Sequence, residues 1–214
     1  MRNSGPVLLL SLALALTGCT RVVDPPQALP GIPVAPITVL QAADLLSPDI
    51  QDKSGNLFAT VEPARCSGVA QEVDPPFIFD HEPAAHDGGH WVAPGSPEVY
   101  IEEMVGIFRA NFKAEAALDA ARRTIESCQG VPFTVTSMLE RTYDFELLPS
   151  PPSDSPNIVL WSFRSPDWAC DSAFVAAHNA AVEISTCAEV GGYDVLTLAQ
   201  DALERIETLA NTVA

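Results

Sequence analysis

The chain has 214 residues, of which 28 are acidic and 11 basic, and its formal net charge is −17 at pH 7. A charge of this sign without a basic patch excludes nucleic acid as a partner. The length that remains after an export signal and a linker is typical of one domain with its own hydrophobic core.

The N-terminus is predicted to be a lipoprotein signal peptide, residues 1–18. Arg2 precedes a short apolar run, which is not long enough to span a bilayer. The run ends in Leu16-Thr17-Gly18-Cys19, which is similar to the bacterial lipobox, where the cysteine accepts the lipid. We expect Cys19 to carry a diacylglyceryl-type anchor that holds the protein at the cell membrane, on its extracytoplasmic face. The alternative is an ordinary secreted protein in which Cys19 occurs by chance.

Five prolines between positions 19 and 37 predict an extended, lipid-anchored tether. The domain is then expected over residues 38–214. Thr38 and Gln41 have the spacing of a capping box and predict a helix, which the dipeptide Ser47-Pro48 ends.

Most of the following segments have the composition of short strands, rich in aromatic and β-branched residues. The strands before the hairpin described below are predicted at Leu57–Val61, Phe77–Phe79, Val99–Phe108, 132–139, 142–148 and 157–164. Residues 80–97, which are rich in His, Gly and Pro, are expected to form a long loop.

Two long helices are predicted. The first covers residues 111–128, with Asn111 as its N-cap and Gly130 beyond its C-terminus. Asp194 is the predicted N-cap of the second, whose apolar stripe extends to Val213.

Residues 171–177 and 181–187 are predicted to form a β-hairpin, with the dipeptide His178-Asn179 at its turn. Asn tolerates positive φ better than most residues, which favours a tight turn here. Cys170 and Cys187 lie the same number of residues from this turn, so they face each other across the strands. Directly opposed residues have Cα atoms about 4.5–5.5 Å apart, within the range of a disulfide. The alternative is a pair of buried free thiols.

If Cys170 pairs with Cys187, the remaining cysteines, Cys66 and Cys128, form the second disulfide. The C-x₂₋₄-C spacing typical of zinc sites is absent from the sequence. Strands in series with helices at either end indicate an α+β fold, in which helices pack on one face of an antiparallel sheet.

The order of these features resembles one known family. The lipobox, the helix that ends at Ser47-Pro48, the cysteines, the motif Trp168-Ala169-Cys170, Asn179 in the turn and the C-terminal helix follow one another as in PknH-like extracellular sensor domains of mycobacterial kinases. The resemblance covers roughly residues 38–213, in a stand-alone lipoprotein form. It implies an α+β domain with a cleft beside the sheet, two disulfides and ligand sensing without enzyme activity or cofactor.

Three of the four histidines, His81, His86 and His90, lie in the predicted loop beside carboxylates, a composition that suits Zn²⁺ or Cu²⁺. A metal-binding envelope protein is therefore the alternative function. The simpler interpretation is a solvated polar loop.

A hydrolase is the third hypothesis, and little favours it. The G-x-S-x-G motif is absent, and Ser96 lacks the strand–turn–helix context of a nucleophile. Glu102 and Glu103 are adjacent in a predicted strand, so they point to opposite faces. The three tryptophans are either core residues or the lining of an apolar pocket. We therefore expect a non-enzymatic domain that binds a small molecule or another envelope ligand.

Overall fold

The computed structural model describes residues 36–53, 55–95 and 97–211. The predicted signal peptide, Cys19 and nearly all of the tether lie outside these residues, as does Ser96. Ile37, the last residue of the predicted tether, is 3% exposed, and its N–H donates to Asn179 Oδ1 at 3.0 Å. In the described part of the chain, the helices are too short or too polar to cross a membrane.

The described elements are eight strands, three α-helices and three 3₁₀ helices. The strands are β1 Phe58–Glu62, β2 Ala85–Ala93, β3 Val99–Ile107, β4 Phe133–Ser137, β5 Thr142–Leu147, β6 Ile158–Arg164, β7 Ala169–Ala177 and β8 Ala180–Ala188. The α-helices are α1 Pro76–Phe79, α2 Ala114–Cys128 and α3 Val195–Ala210, and 3₁₀ helices occupy Val39–Gln41, Ala43–Leu45 and Ala64–Val69.

All eight strands form one antiparallel sheet in the order β1-β4-β5-β6-β7-β8-β3-β2. Phe58 and Tyr143, near one end of the sheet, line the same cavity as His90 and Val92, at the other end. The sheet is therefore curled, as strand twist favours in a sheet of this width.

Helices cover both faces of the sheet, so the prediction of one covered face is wrong. On β7, Phe174 packs with α2, whereas Val175 packs with α3. The central strands β7 and β8 are buried almost throughout because both alternating sets of side chains are apolar or small. We call the face with Phe174 the cavity face and the opposite one the α3 face.

Two local predictions are wrong because tertiary contacts override local composition. Phe77–Phe79 is in helix α1 rather than in a strand. Pro76 at its start has the backbone angle that a helix needs, and Phe77 packs against Trp161. The predicted loop at 80–97 contains strand β2, which pairs with β3 along its whole length. Gly89 belongs there because a Cβ atom would lie 2.6 Å from Ile50 Cγ2.

The β7–β8 hairpin is confirmed, and Cys170 pairs with Cys187 in register. Both disulfides are present, with Cα atoms 4.2 Å apart in Cys170–Cys187 and 5.8 Å apart in Cys66–Cys128. The positive φ of the turn lies at His178, at 52°, rather than at Asn179. Asn179 instead uses its side-chain amide to bind the carbonyls of Ile37 and Phe108.

The helix predictions are confirmed in outline. Asp194 caps α3 by accepting from Thr197 N–H at 3.1 Å. Helix α2 begins at Ala114, three residues after the predicted start, so Asn111 is not its N-cap. The predicted first helix is two 3₁₀ turns, and Gln41 Oε1 accepts from Thr38 N–H at 2.9 Å.

Candidate ligand-binding cavity

A cavity of about 410 Å³ opens on the cavity face, where α2 does not cover the sheet. This volume lies in the range of small-molecule sites. The lining residues come from both ends of the curled sheet and from the segments beside them: Gly55, Asn56, Leu57, Phe58, Glu72, His90, Val92, Tyr100, Ile101, Glu102, Arg141, Tyr143, Trp168 and Cys187.

Strand alternation decides which side chains reach the cavity. On β3, Tyr100 and Glu102 point to the cavity face, whereas Ile101 packs its side chain in the core of the α3 face. Cys187 is opposite Tyr100 in the β3–β8 pairing, and its disulfide to Cys170 forms part of the cavity wall.

An aromatic wall lines one side of the cavity. The ring centroids of Tyr100 and Trp168 are 5.9 Å apart, those of Tyr143 and Trp168 6.5 Å, and those of Phe58 and Tyr143 5.7 Å. Of the three tryptophans, only Trp168 lines the cavity. Trp161 is buried and donates its indole N–H to Val69 C=O at 2.8 Å, and Trp91 lies in the core of the α3 face.

Carboxyl groups from two separate elements line the floor of the cavity, and a third lies beneath it. Glu72, in the loop after the Ala64–Val69 helix, accepts from Phe58 N–H at 2.8 Å. Glu102 on β3 is 8% exposed and Glu183 on β8 is 9% exposed. In both, Oε2 is buried and has no hydrogen-bond partner among the described residues. Glu183 lies beneath the floor rather than in the lining.

This environment raises the pKa of all three carboxyl groups. Burial raises the pKa of Glu102 to about 9, and the nearby carboxylates of Glu72 and Glu103 add to the rise. Burial raises the pKa of Glu72 to about 7, against hydrogen bonds from Phe58 and Ser185. The pKa of Glu183 is also well above its usual range, because of burial and then Glu72. At neutral pH Glu102 thus keeps its proton, whereas Glu72 is partly ionised.

Two basic side chains also line the cavity. His90 on β2 is directly opposite Glu102 in the β2–β3 pairing. Arg141, in the β4–β5 connection, is exposed and lies at the rim. Neither has a salt bridge to the glutamates of the floor among the described residues. The floor therefore lacks the cation that buried carboxylates usually require.

The three histidines of the predicted metal site have different surroundings. The ring of His81 packs on Phe112 and the ring of His86 on Phe79, whereas His90 lines the cavity. Throughout the described ranges, groups of three or more metal-ligating side chains in a suitable arrangement are absent. The metal hypothesis therefore has no site in this part of the chain.

The predicted opposite orientation of Glu102 and Glu103 is confirmed, because Glu103 contacts Arg205 of α3 on the other face. The two side chains therefore do not share a site. The other carboxyl groups in and beneath the floor, those of Glu72 and Glu183, come from other elements, and they were not predicted from the sequence. The sequence pattern could have indicated Glu183, because it is the one charged residue in the apolar strand β8. No such pattern indicated Glu72, since only the fold brings its loop to the sheet.

Comparison with known proteins agrees with this fold. The PknH-like extracellular domain matches residues 26–205. Among solved structures, the extracellular domain of PknH from Mycobacterium tuberculosis is similar, with a TM-score of 0.64 and 19% identity over 81% of this chain and 98% of that chain. This likeness shows a shared fold. Curated proteins give no match. Since the family match spans most of its length, the chain belongs to the family of PknH-like extracellular domains.

Proposed function

We propose that this protein is a lipid-anchored lipoprotein of the cell envelope whose domain acts as a non-enzymatic sensor. Its ligand binds in the cavity beside the aromatic wall. The observation that carries the proposal is the cavity of about 410 Å³, in a chain of an extracellular domain family. Two disulfides support an oxidising, extracytoplasmic location.

Rigid walls support binding rather than catalysis at this site. Both disulfides belong to the core of the cavity face, and one of them joins the strands beside the cavity. A preorganised wall reduces the entropy that a ligand must lose on binding. The described lining contains neither a serine nor a threonine, so it offers no hydroxyl nucleophile of that kind.

Native mass spectrometry of the protein extracted from its own envelope tests ligand binding. We expect a small molecule that stays bound to the wild type and is absent from Val92→Trp, in which an indole fills the cavity. Leu139→Trp, at an exposed position outside the lining, is the matched control and should keep the molecule. Equal retention by all three proteins would place the molecule elsewhere and contradict the proposal.

The anchor has a separate test. Intact-mass measurement of membrane-extracted protein should show a diacylglyceryl group on Cys19. Cys19→Ala should appear in the soluble fraction with an unchanged fold, because the anchor precedes the domain. A wild-type mass without the lipid would contradict the proposed anchor and would leave the proposed ligand site unaffected.

A further inference from the structure

We propose that the floor of the cavity binds the positively charged nitrogen of an organic cation, with Glu102 as its acceptor and the aromatic wall against its apolar body. This inference rests on the proposed function, because it takes the cavity as the ligand site. It adds the chemical class of the ligand.

The first support is an acceptor without a donor. Glu102 lines the cavity, is 8% exposed, and its Oε2 has no partner in the described part of the chain. A buried polar group without a partner is rare in native structures, and a ligand that supplies the missing partner is one explanation of it. An ammonium group donates hydrogen bonds and carries the opposite charge, so it satisfies Glu102 in both respects.

The groups that surround Glu102 favour a cation over an anion. Glu72, from the adjoining loop, lies close enough to raise the pKa of both Glu102 and Glu183, and its charge adds to the local negative potential once it ionises. His90 faces Glu102 from β2, and its neutral form accepts a further hydrogen bond. Arg141 is the remaining charged group of the lining, and it is exposed at the rim.

The wall gives an independent second reason. Trp168 lies between Tyr100 and Tyr143, with ring centroids 5.9 and 6.5 Å away. Aromatic faces attract cations, and the attraction is largest for tryptophan. The cavity thus combines ionisable acceptors with an aromatic surface, which suits an amine that carries an aryl or alkyl group.

Calorimetry on the detergent-extracted protein tests this inference with phenethylamine, and with 2-phenylethanol as the neutral analogue of similar shape. At about pH 8.5, close to the pKa of Glu102, we expect the amine to bind roughly tenfold or more tightly than the alcohol, the usual range for a charged hydrogen bond. Glu102→Gln should lower the affinity for the amine by a similar factor and leave the affinity for the alcohol unchanged. Glu115→Gln, on the exposed side of α2, is the matched control and should bind like the wild type.

Proton release is a second measurement that needs no variant. The amine requires an ionised carboxylate, and the pKa of Glu102 is about 9, so binding near pH 7 should release up to about one proton. The observed heat will then depend on the ionisation enthalpy of the buffer. Amine affinity should rise between about pH 7 and about pH 8.5, below the pKa of the amine itself. The alcohol should release no proton.

Four results would overturn the inference. The inference fails if the amine and the alcohol bind equally tightly, or if Glu102→Gln binds the amine as tightly as the wild type does. In either case the cavity remains the ligand site if Val92→Trp abolishes binding. Amine binding that survives Val92→Trp lies outside the cavity. Absence of binding by both probes overturns the cation inference, and retention of a native ligand sensitive to Val92→Trp would show that the proposed function stands without it.

Discussion

Glu102 and Glu103 are neighbours on β3 and both are buried, yet their surroundings differ. Glu103, on the α3 face, is 1% exposed, forms a salt bridge with Arg205 and accepts from Ser47 N–H at 2.6 Å. Glu102, on the cavity face, has a buried oxygen without a partner. Burial raises the pKa of both carboxyl groups, but only that of Glu103 is opposed by an arginine.

The difference lies in how the two faces of one sheet accommodate a buried carboxyl group. On the α3 face, a helix and an ion pair close the surface and satisfy the buried charge. On the cavity face, the Cys170–Cys187 disulfide lies beside the cavity, and Glu102 is buried with an oxygen that has no partner among the described residues. A buried carboxyl group therefore indicates a ligand site only where the protein supplies no partner of its own.

The largest expected effect is the loss of the Cys66–Cys128 disulfide, which joins a 3₁₀ helix to α2 on the cavity face. The double variant Cys66→Ala/Cys128→Ala should lose about 4 kcal/mol of unfolding free energy in urea, because the sequence separation is 62 residues. Cys170→Ala/Cys187→Ala, with a separation of 17, should lose about 3 kcal/mol. An unchanged midpoint in both would mean that packing alone holds this face.

Arg205→Met tests whether the arginine on the α3 face stabilises the buried Glu103. It leaves Glu103 buried without its cation, and we expect a loss of about 3 kcal/mol in urea denaturation. Arg122→Met is the control, since its pair with Asp119 is exposed and should contribute less than about 1 kcal/mol. Equal effects of the two variants would contradict the structural role of Glu103.

Glu102→Gln should instead stabilise the folded protein. The raised pKa means that folded Glu102 keeps its proton while the unfolded chain loses it above about pH 4.5. This contribution to stability is therefore full below about pH 4.5 and is lost as pH rises toward about 9. The variant should match the wild type near pH 4 and exceed its stability near pH 6, by on the order of 2 kcal/mol. A destabilised variant at pH 6 would show that Glu102 is ionised and paired in the folded protein.

The smallest effect is expected for the exposed pair between His178 and Glu207, 2.8 Å apart at the end of the β7–β8 hairpin. His178→Asn keeps a residue that tolerates positive φ and removes the contact between the imidazole and Glu207. We expect a change below about 0.5 kcal/mol in thermal unfolding. A loss several times larger would mean that this turn, and not the sheet interior, positions α3.

Local patterns in the sequence were sufficient for much of this fold. The hairpin register followed from the distances of Cys170 and Cys187 from the turn, and the start of α3 followed from Asp194. Such features involve residues that are close in sequence or symmetric about a turn, so they need no knowledge of the remaining chain. The order of these features was also sufficient for the family resemblance.

Tertiary structure decided the site. Strand β2 forms from a segment rich in Gly and His because β3 offers it a pairing edge, and α1 forms because Phe77 packs on Trp161. The curl of the sheet brings Glu72 beside Glu102 from distant parts of the chain. Strand alternation in the sequence already places Glu102 and Glu103 on opposite faces. Only the packed fold decides which of them meets an arginine, because long-range contacts determine the partner of each buried charge.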